Sequence, residues 1–324
     1  MRSQALFLAL AAVAAPVAAW DPFGHQTVGY LASKYFSEST AAHLTSLIGL
    51  SDRFDIGDAA AWADTVRDAD GLPWSKNWHF INPRADNPAT NTCKLEYPSD
   101  CPKGNCIIDA ILNQTRAIMN PSLSASGRRN ATMWVLHFFG DLHQPMHASG
   151  YKYGGNLVRP VCFGPMDQCN NGTSGDRVLS LHSIWDSAIP RKLRGLKAYE
   201  TPAADKEAAR LWAEDIYESQ QAQADGTEEA REECGSMGCV VDWATESNRL
   251  VCEHALSKGE QWVLTHDLSG DYFLENAKVV QSQVGKAGRR LAQWMNALAD
   301  ILDQLPPVTE ATRGEGDGYP TGDL

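Results

Sequence analysis

The segment ATMWVLHFFGDLHQPMH, residues 131–147, combines a strongly apolar run with three histidines and one aspartate. The apolar run predicts a buried helix, in which His137 and Asp141 lie four residues apart on one face, where both can bind one ion. The proline before His147 ends or kinks that helix, so His147 approaches from the following turn, whereas His143 points elsewhere. A buried histidine satisfied by a neighbouring aspartate is the alternative interpretation, and this pair by itself does not decide between the two.

The same four-residue spacing recurs in LHSIWD, where His182 and Asp186 share a helix face. Three further side chains precede both pairs: Asp64 in AAWADTVR, on a predicted helix, His79 in NWHFINP, in an extended segment, and His25 in WDPFGH. Taken singly, each is more simply explained as a core histidine or a helix-surface acid. Five of the nine histidines in the chain nevertheless stand in such contexts. Because zinc takes neutral imidazole and carboxylate ligands, the pattern predicts a group of zinc ions.

The amino terminus has the pattern of a secretory signal peptide over residues 1–19, with a positive start at Arg2, an apolar run and small residues before Trp20. Cleavage there makes Trp20 the new terminus, whose amine and carbonyl form a five-membered chelate for a metal. We therefore expect a secreted, extracellular protein, and the absence of any later run of 18 uncharged apolar residues predicts no membrane span. The N-x-S/T sequons of an exported glycoprotein stand at Asn113 and Asn171, both expected to be exposed, and at Asn130.

Eight cysteines remain after this cleavage, an even number in an oxidising compartment, which favours four disulfides over thiolate metal sites. Close spacing suggests three local pairs, each closing a short turn, and leaves one pair that spans much of the chain. This connectivity is one of about 105 arrangements and stays a hypothesis. The pairs are Cys101 with Cys106, Cys162 with Cys169, Cys234 with Cys239, and Cys93 with Cys252.

Amphipathic helical patterns dominate the chain and alternating strand patterns are scarce, which predicts an all-α fold. The predicted helices cover residues 25–48, 56–70, 105–119, 128–144, 177–188, 202–223, 240–257 and 271–303. Without an internal linker or repeat, we expect a single helical domain over 20–305, with an exposed acidic insertion at 220–239 and a disordered tail over 306–324. Removing Arg2 with the signal peptide takes the formal charge from −12 to −13, which argues against a basic nucleic-acid groove.

As an ordered set, these motifs resemble the secreted zinc-dependent single-strand nucleases of fungi and plants, the nuclease S-one and P-one family, whose fold is shared with zinc-dependent phospholipase C. The resemblance covers nearly the whole chain after the signal peptide. It is carried by WDPFGH, WADTVR, WHFINP, HFFGDLHQPMH, YGGN and LHSIWD. The later segments DWATESNRLVC and GRRLAQWMNAL are also similar to the family, and they support pairing Cys93 with Cys252.

The resemblance implies three zinc ions as cofactors and a set of ligands for each. Asp64, His79 and His137 hold one ion, the Trp20 amine and carbonyl with His25 hold its neighbour, Asp141 bridges these two, and His147, His182 and Asp186 hold the third. The implied catalytic residues are the ligand Asp64 and Arg67, which matches the family arginine near the scissile phosphate. The alternative for Arg67 is a surface ion pair with a nearby aspartate.

The activity implied is that of an extracellular endonuclease that hydrolyses single-stranded DNA and RNA to 5′-phosphate products by attack of a zinc-bridging hydroxide, with 3′-nucleotidase activity. Its partners are then single-stranded nucleic acids and 3′-nucleotides, and we expect a monomer. A zinc-dependent phospholipase C is the alternative, although its final ligand is typically glutamate in place of Asp186. A secreted protein with purely structural zinc is a third hypothesis.

Three residues are candidates for substrate binding. Phe80 matches the aromatic on which the family stacks a base, and its alternative role is that of a core aromatic. Asn82 stands where many relatives carry a base-binding aspartate, which predicts an altered base preference, or else it forms an Asn-Pro turn. Asn156 in YGGN either contacts the substrate or shapes a turn.

Overall fold

The computed structural model describes residues 20–69, 72–166, 169, 173–174, 177–197, 200–224 and 237–305, and the fold in these ranges is all-α, as the sequence predicts. Its helices are α1 (Pro22–Ser33), α2 (Glu38–Leu44), α3 (Ile56–Ala69), α4 (Ile107–Met119), α5 (Ala125–Leu142), α6 (Leu181–Ser183), α7 (Ile189–Leu193), α8 (Pro202–Ala224), α9 (Met237–Leu250), α10 (Glu260–Thr265) and α11 (Asp271–Gln304). The strands β1 (Thr173–Ser174) and β2 (Arg177–Val178) form a small antiparallel pair. The predicted signal peptide and tail lie outside the described residues.

Short helical turns of other types connect these helices, and several of them carry candidate site residues. The 3₁₀ turns are Pro73–His79, Pro88–Thr90, Pro102–Gly104 and Pro145–Ala148. The π-helical turns are Thr45–Gly49, Ile184–Ala188 and Val251–Ala255. His79 is therefore the last residue of a 3₁₀ turn, and the expectation of an extended segment was wrong at that residue; the chain becomes extended at Phe80.

Two predicted helix boundaries were wrong because side chains cap the backbone where hydrophobic periodicity gives no signal. The helix predicted over 25–48 is interrupted after Ser33, and Ser37 starts α2 by accepting the backbone N–H of Thr40 at 3.1 Å. The helix predicted over 177–188 begins only at α6, where Ser180 forms a capping box with Ser183. The six residues of α10 were missed, because so short a helix shows little periodicity.

The helix α5 lies at the centre of the core. Every residue from Ala131 to Leu142 is buried, as expected for a helix that has other elements on all sides. Helix α1 packs against α3, α8 and α11, and the ring of Phe23 in α1 stacks on Trp212 of α8 with centroids 5.3 Å apart. The long helix α11 is amphipathic, and none of the helices in the described ranges is both long and apolar enough to cross a bilayer.

One long-range disulfide and two local ones link the described chain. Disulfides connect Cys93 with Cys252, Cys101 with Cys106, and Cys162 with Cys169, which are three of the pairs expected from the sequence. Cys234 of the fourth pair lies outside the described residues. Of the sequons, Asn113 on α4 is half-buried rather than exposed, with its Oδ1 accepting a hydrogen bond from Arg116 one turn later at 2.9 Å, and Asn130 is half-buried within α5. Asn171 is not among the described residues.

Candidate metal centre

The candidate histidines and aspartates come from seven elements and meet beside the C-terminal half of α5. All eight are buried, the most exposed being Asp64 at 8%. They are His25 on α1, Asp64 on α3, His79 at the end of the 73–79 turn, His137 and Asp141 on α5, His147 on the 145–148 turn, His182 on α6 and Asp186 on the following π-helical turn. The four-residue spacing inferred from the sequence thus brings each His/Asp pair together on one helix face.

Asp141 lies at the centre of the larger part of this cluster. Its Oδ2 is 2.9 Å from His79 Nδ1 and 3.2 Å from His137 Nε2, while its Oδ1 is 3.3 Å from His25 Nε2. Asp64 Oδ1 completes this part at 3.6 Å from His137 Nε2. The two oxygens of Asp141 thus face different histidines, Oδ2 toward His79 and His137 and Oδ1 toward His25.

A second part of the cluster is formed by His147, His182 and Asp186. Asp186 Oδ2 lies 3.1 Å from His182 Nε2, and its Oδ1 lies 3.9 Å from His147 Nε2. His147 Nδ1 is 3.8 Å from Asp141 Oδ1, so this group adjoins the first. Three sets of residues in the cluster have potential ligand atoms that, within each set, lie within 4.8 Å of one another. The sets are His25 with Asp64 and His137, His79 with His137 and Asp141, and His147 with His182 and Asp186.

Backbone carbonyl groups fix the orientation of three of the imidazole rings. In each, Nδ1 donates to a carbonyl oxygen, which leaves the lone pair on Nε2 and directs it into the cluster. The pairs are His137 with Ala60 at 2.8 Å, His147 with His79 at 2.6 Å, and His182 with Gly154 at 2.5 Å. These hydrogen bonds fix which nitrogen of each ring faces the cluster.

Several buried nitrogens in the cluster make no hydrogen bond to any described residue. They include Nε2 of His147, Nε2 of His182 and both ring nitrogens of His25. Burial lowers the pKa of His25 to about 4, with the nearby His137 contributing, so this imidazole stays neutral. A buried polar atom without a hydrogen bond costs about 1–3 kcal/mol, and coordination of a cation would satisfy these nitrogens.

Close approach of α1 to α5 requires glycine at position 140. A Cβ on Gly140 would lie 2.7 Å from His25 Nδ1 and 3.6 Å from Trp20 Cδ1. Trp20 is fully buried, and its Nε1 donates to the carbonyl oxygen of Gly140 at 2.8 Å. The residue expected to become the amino terminus is thus packed against the helix that carries His137 and Asp141. Coordination by its amine and carbonyl stays a prediction.

The family model described as S1/P1 nuclease matches residues 20–300. The chain belongs to the S1/P1 nuclease family. It is 32% identical over 284 residues to Nuclease PA3 of a Penicillium species and to Nuclease P1 of Penicillium citrinum, covering 86% of this chain and 97% of each relative. It is 31% identical over 288 residues to Nuclease S1 of Aspergillus oryzae, covering 86% of this chain and 92% of the relative. The matched region includes every candidate ligand.

One residue of this S1/P1 nuclease centre was missed by the sequence analysis. Gln144 is fully buried, and its Oε1 accepts the backbone N–H of Met146 at 2.6 Å. That bond orients the amide so that Nε2 donates to Oδ1 of Asp186 and leaves Oδ2 of Asp186 facing His182. A polar amide between the candidate ligands Asp141 and His147 was the available signal. The neighbouring His143 points away, as expected, with Nε2 3.1 Å from an Arg290 nitrogen.

The other candidate site residues, three for substrate binding and the catalytic candidate Arg67, lie near candidate ligands along the chain. Phe80 directly follows His79 and is half-buried, and Asn82 is half-buried two residues later. Asn156 Nδ2 donates to the carbonyl oxygen of Tyr153 at 2.8 Å, so its amide helps to close a turn. Arg67 lies on α3 one turn after Asp64, and its side chain lies outside the described part of the structure.

Proposed function

We propose that this member of the S1/P1 nuclease family is an extracellular zinc-dependent endonuclease that hydrolyses single-stranded DNA and RNA to 5′-phosphate products and also has 3′-nucleotidase activity. The observation that carries the proposal is the convergence of three buried His/Asp sets whose ligand atoms lie within 4.8 Å of one another. The names of the relatives, all nucleases or endonucleases, support the reaction class. Burial of the whole set makes a solvated surface cluster a poor explanation.

The side chains present fit zinc, because neutral imidazole nitrogens with fixed tautomers and buried carboxylates are the ligands that zinc takes. Asp64, His79 and His137 would hold one ion, and the amine and carbonyl of Trp20 would hold a second together with His25. Asp141 would be shared by these two ions. His147, His182 and Asp186 would hold a third ion. Bound zinc supplies positive charge for phosphoryl oxygens and lowers the pKa of water from about 15.7 to about 7.

Other side chains of the chain would bind and orient the nucleic acid. Phe80, half-buried beside His79, would stack on an unpaired base, and a duplex cannot use this contact because its bases are stacked and paired. The amide of Asn82 both donates and accepts hydrogen bonds, which gives it access to more than one base edge. Arg67 is assigned to the phosphate oxygens, where a guanidinium can bind two oxygens at once. Asn156 maintains the turn from Tyr153.

The test is hydrolysis of single-stranded DNA by the secreted, mature protein as isolated, after chelation, and after zinc is restored. Loss and recovery of 5′-phosphate products is the expected result, and amino-terminal sequencing should begin at Trp20. Asp141→Asn should abolish turnover, whereas Asp303→Asn, a change at an exposed residue of α11, should not. Turnover by Asp141→Asn would refute the bridging role. Hydrolysis of phosphatidylcholine but not DNA by the zinc-loaded protein would favour the phospholipase.

A further inference from the structure

A buried ion-pair array lies next to the candidate ligands without containing any of them. Arg191 on α7 places Nε 2.5 Å from Oδ2 of Asp21, at the entrance to α1. The other two guanidinium nitrogens of Arg191 bind both oxygens of Asp205, in the first turn of α8, at 3.0 and 2.7 Å. The three side chains are only 10–14% exposed. A planar guanidinium that binds two carboxylates in this way fixes their relative positions.

The array ties the start of the described chain to the segment that carries a candidate ligand. Asp21 caps α1 by accepting the Gly24 N–H at 3.2 Å. The backbone N–H of Asp21 also donates to the carbonyl oxygen of Asp186 at 3.3 Å. Because Asp186 stands five residues before Arg191, the start of α1 is held twice by the same stretch of chain, once through the backbone and once through the guanidinium.

The held segment carries two of the groups that face Asp141 and its helix. His25 lies in the first turn of α1 and places Nε2 3.3 Å from Asp141 Oδ1. Trp20 lies one residue before Asp21 and binds the carbonyl oxygen of Gly140. A shift at the start of α1 moves both residues relative to α5, since a helix moves as a rigid element over its first turn.

We infer that Arg191 is a positioning residue for the metal centre, acting through Asp21 to hold Trp20 and His25 in place, and that Asp205 anchors Arg191 to α8. The inference rests on the proposed zinc function of the cluster. An isolated surface ion pair contributes little, but this array is largely buried, and loss of the Asp21 carboxylate leaves Arg191 bound to Asp205 alone, without its side-chain link to the start of α1. Replacement is therefore expected to displace the chain locally and not merely to lose one contact.

The test compares Asp21→Asn with Arg194→Met in the mature, zinc-loaded protein. An asparagine keeps an oxygen for the Gly24 N–H, so the helix cap survives, but turns an N–H group toward the Arg191 donor. The control Arg194→Met removes a different ion pair with α8, the 2.7 Å contact between Arg194, just after α7, and Asp215. It leaves Asp21 and its partners unchanged. The readouts are zinc release to a competing chelator and hydrogen exchange of the amino-terminal peptide, both independent of turnover.

For Asp21→Asn we expect zinc affinity to fall by about 10–100-fold at one ion, and exchange of the backbone amides of residues 21, 23 and 24 to rise by at least roughly tenfold. The Arg194→Met control should keep the wild-type values. Unchanged zinc release in Asp21→Asn, or an equal change in Arg194→Met, would overturn the inference. A wild-type protein that binds no zinc would instead refute the proposed function, while faster exchange in Asp21→Asn would still identify the array as the support of the amino-terminal segment.

Discussion

Gly140→Ala tests whether the close approach of α1 to α5 sets the geometry of the proposed zinc centre. The added Cβ would lie 2.7 Å from His25 Nδ1, whereas ordinary contact begins near 3.4 Å, so the ring must move by about 0.7 Å. The ring has little room, because it is fully buried and stacks on His137 with centroids 3.7 Å apart. Functional constellations tolerate displacements of about 0.5 Å, so the required shift is large enough to disturb coordination.

Two opposing effects determine the stability of this variant. Alanine is favoured over glycine inside a helix by about 1 kcal/mol. Overpacking of a tightly filled core costs about 1–3 kcal/mol. We therefore expect the free energy of unfolding of the metal-free chain to change from nearly zero to a loss of about 2 kcal/mol. Zinc affinity at the ion bound by His25 should fall at least tenfold, since a misplaced ligand weakens coordination directly.

Gly285→Ala is the matched control for this change. Gly285 lies inside α11, and its added Cβ would meet Nε2 of Gln220 at 2.8 Å, the far end of a flexible side chain, and Cγ2 of Ile216 at 3.3 Å, contacts that small side-chain shifts relieve. This variant should gain up to about 1 kcal/mol and keep its zinc. Denaturant unfolding of the metal-free proteins and zinc content of the loaded proteins measure the two effects separately. A Gly140→Ala protein that is stabilised as much as Gly285→Ala and retains full zinc would refute the reasoning.

Three further changes test other parts of the centre. Gln144→Met removes the N–H that holds Oδ1 of Asp186, so zinc affinity at that group should fall about 10–100-fold in chelator competition; an unchanged affinity would contradict the orienting role. Phe80→Leu removes a stacking surface worth about 1–3 kcal/mol, so KM for single-stranded DNA should rise roughly 10–100-fold at constant zinc content, and an unchanged KM would exclude Phe80 from base binding. The pKa of the Glu246 carboxyl lies below its usual range. Burial alone would raise this pKa, but the ammonium of Lys286 and the guanidinium of Arg290 lower it by more than burial raises it. A carboxyl group whose pKa is lower in the folded than in the unfolded protein stabilises the fold above the unfolded-state pKa, and this contribution is lost as the pH falls through the folded-state pKa. Glu246→Gln should therefore destabilise the protein near neutral pH and approach the stability of the wild type below about pH 4. An equal difference in stability at both pH values would contradict this assignment.

The long helices and the ligand residue types were predictable because both leave local patterns. Apolar periodicity located α3, α4, α5, α8 and α11 to within a few residues, and spacing of four residues brought histidines and aspartates onto common faces. The interruption after Ser33 was not predictable in this way, since it depends on a cap at Ser37. Gln144 and Arg191 could not be identified from spacing, because their partners stand 42 and 170 residues away in the chain.

The stretch from residue 131 to residue 147 supports the centre through its backbone as well as its side chains. The carbonyl oxygens of Gly140, Leu142 and His143 accept hydrogen bonds from Trp20, from Ser247 of α9 and from Gln283 of α11. Helices far apart in sequence thus converge on the end of α5, where Pro145 prevents continuation of the helix and the last carbonyl groups accept hydrogen bonds from outside it. The proline that turns His147 toward the cluster therefore also exposes the acceptors that hold the surrounding helices, which couples the position of the ligands to the packing of the fold.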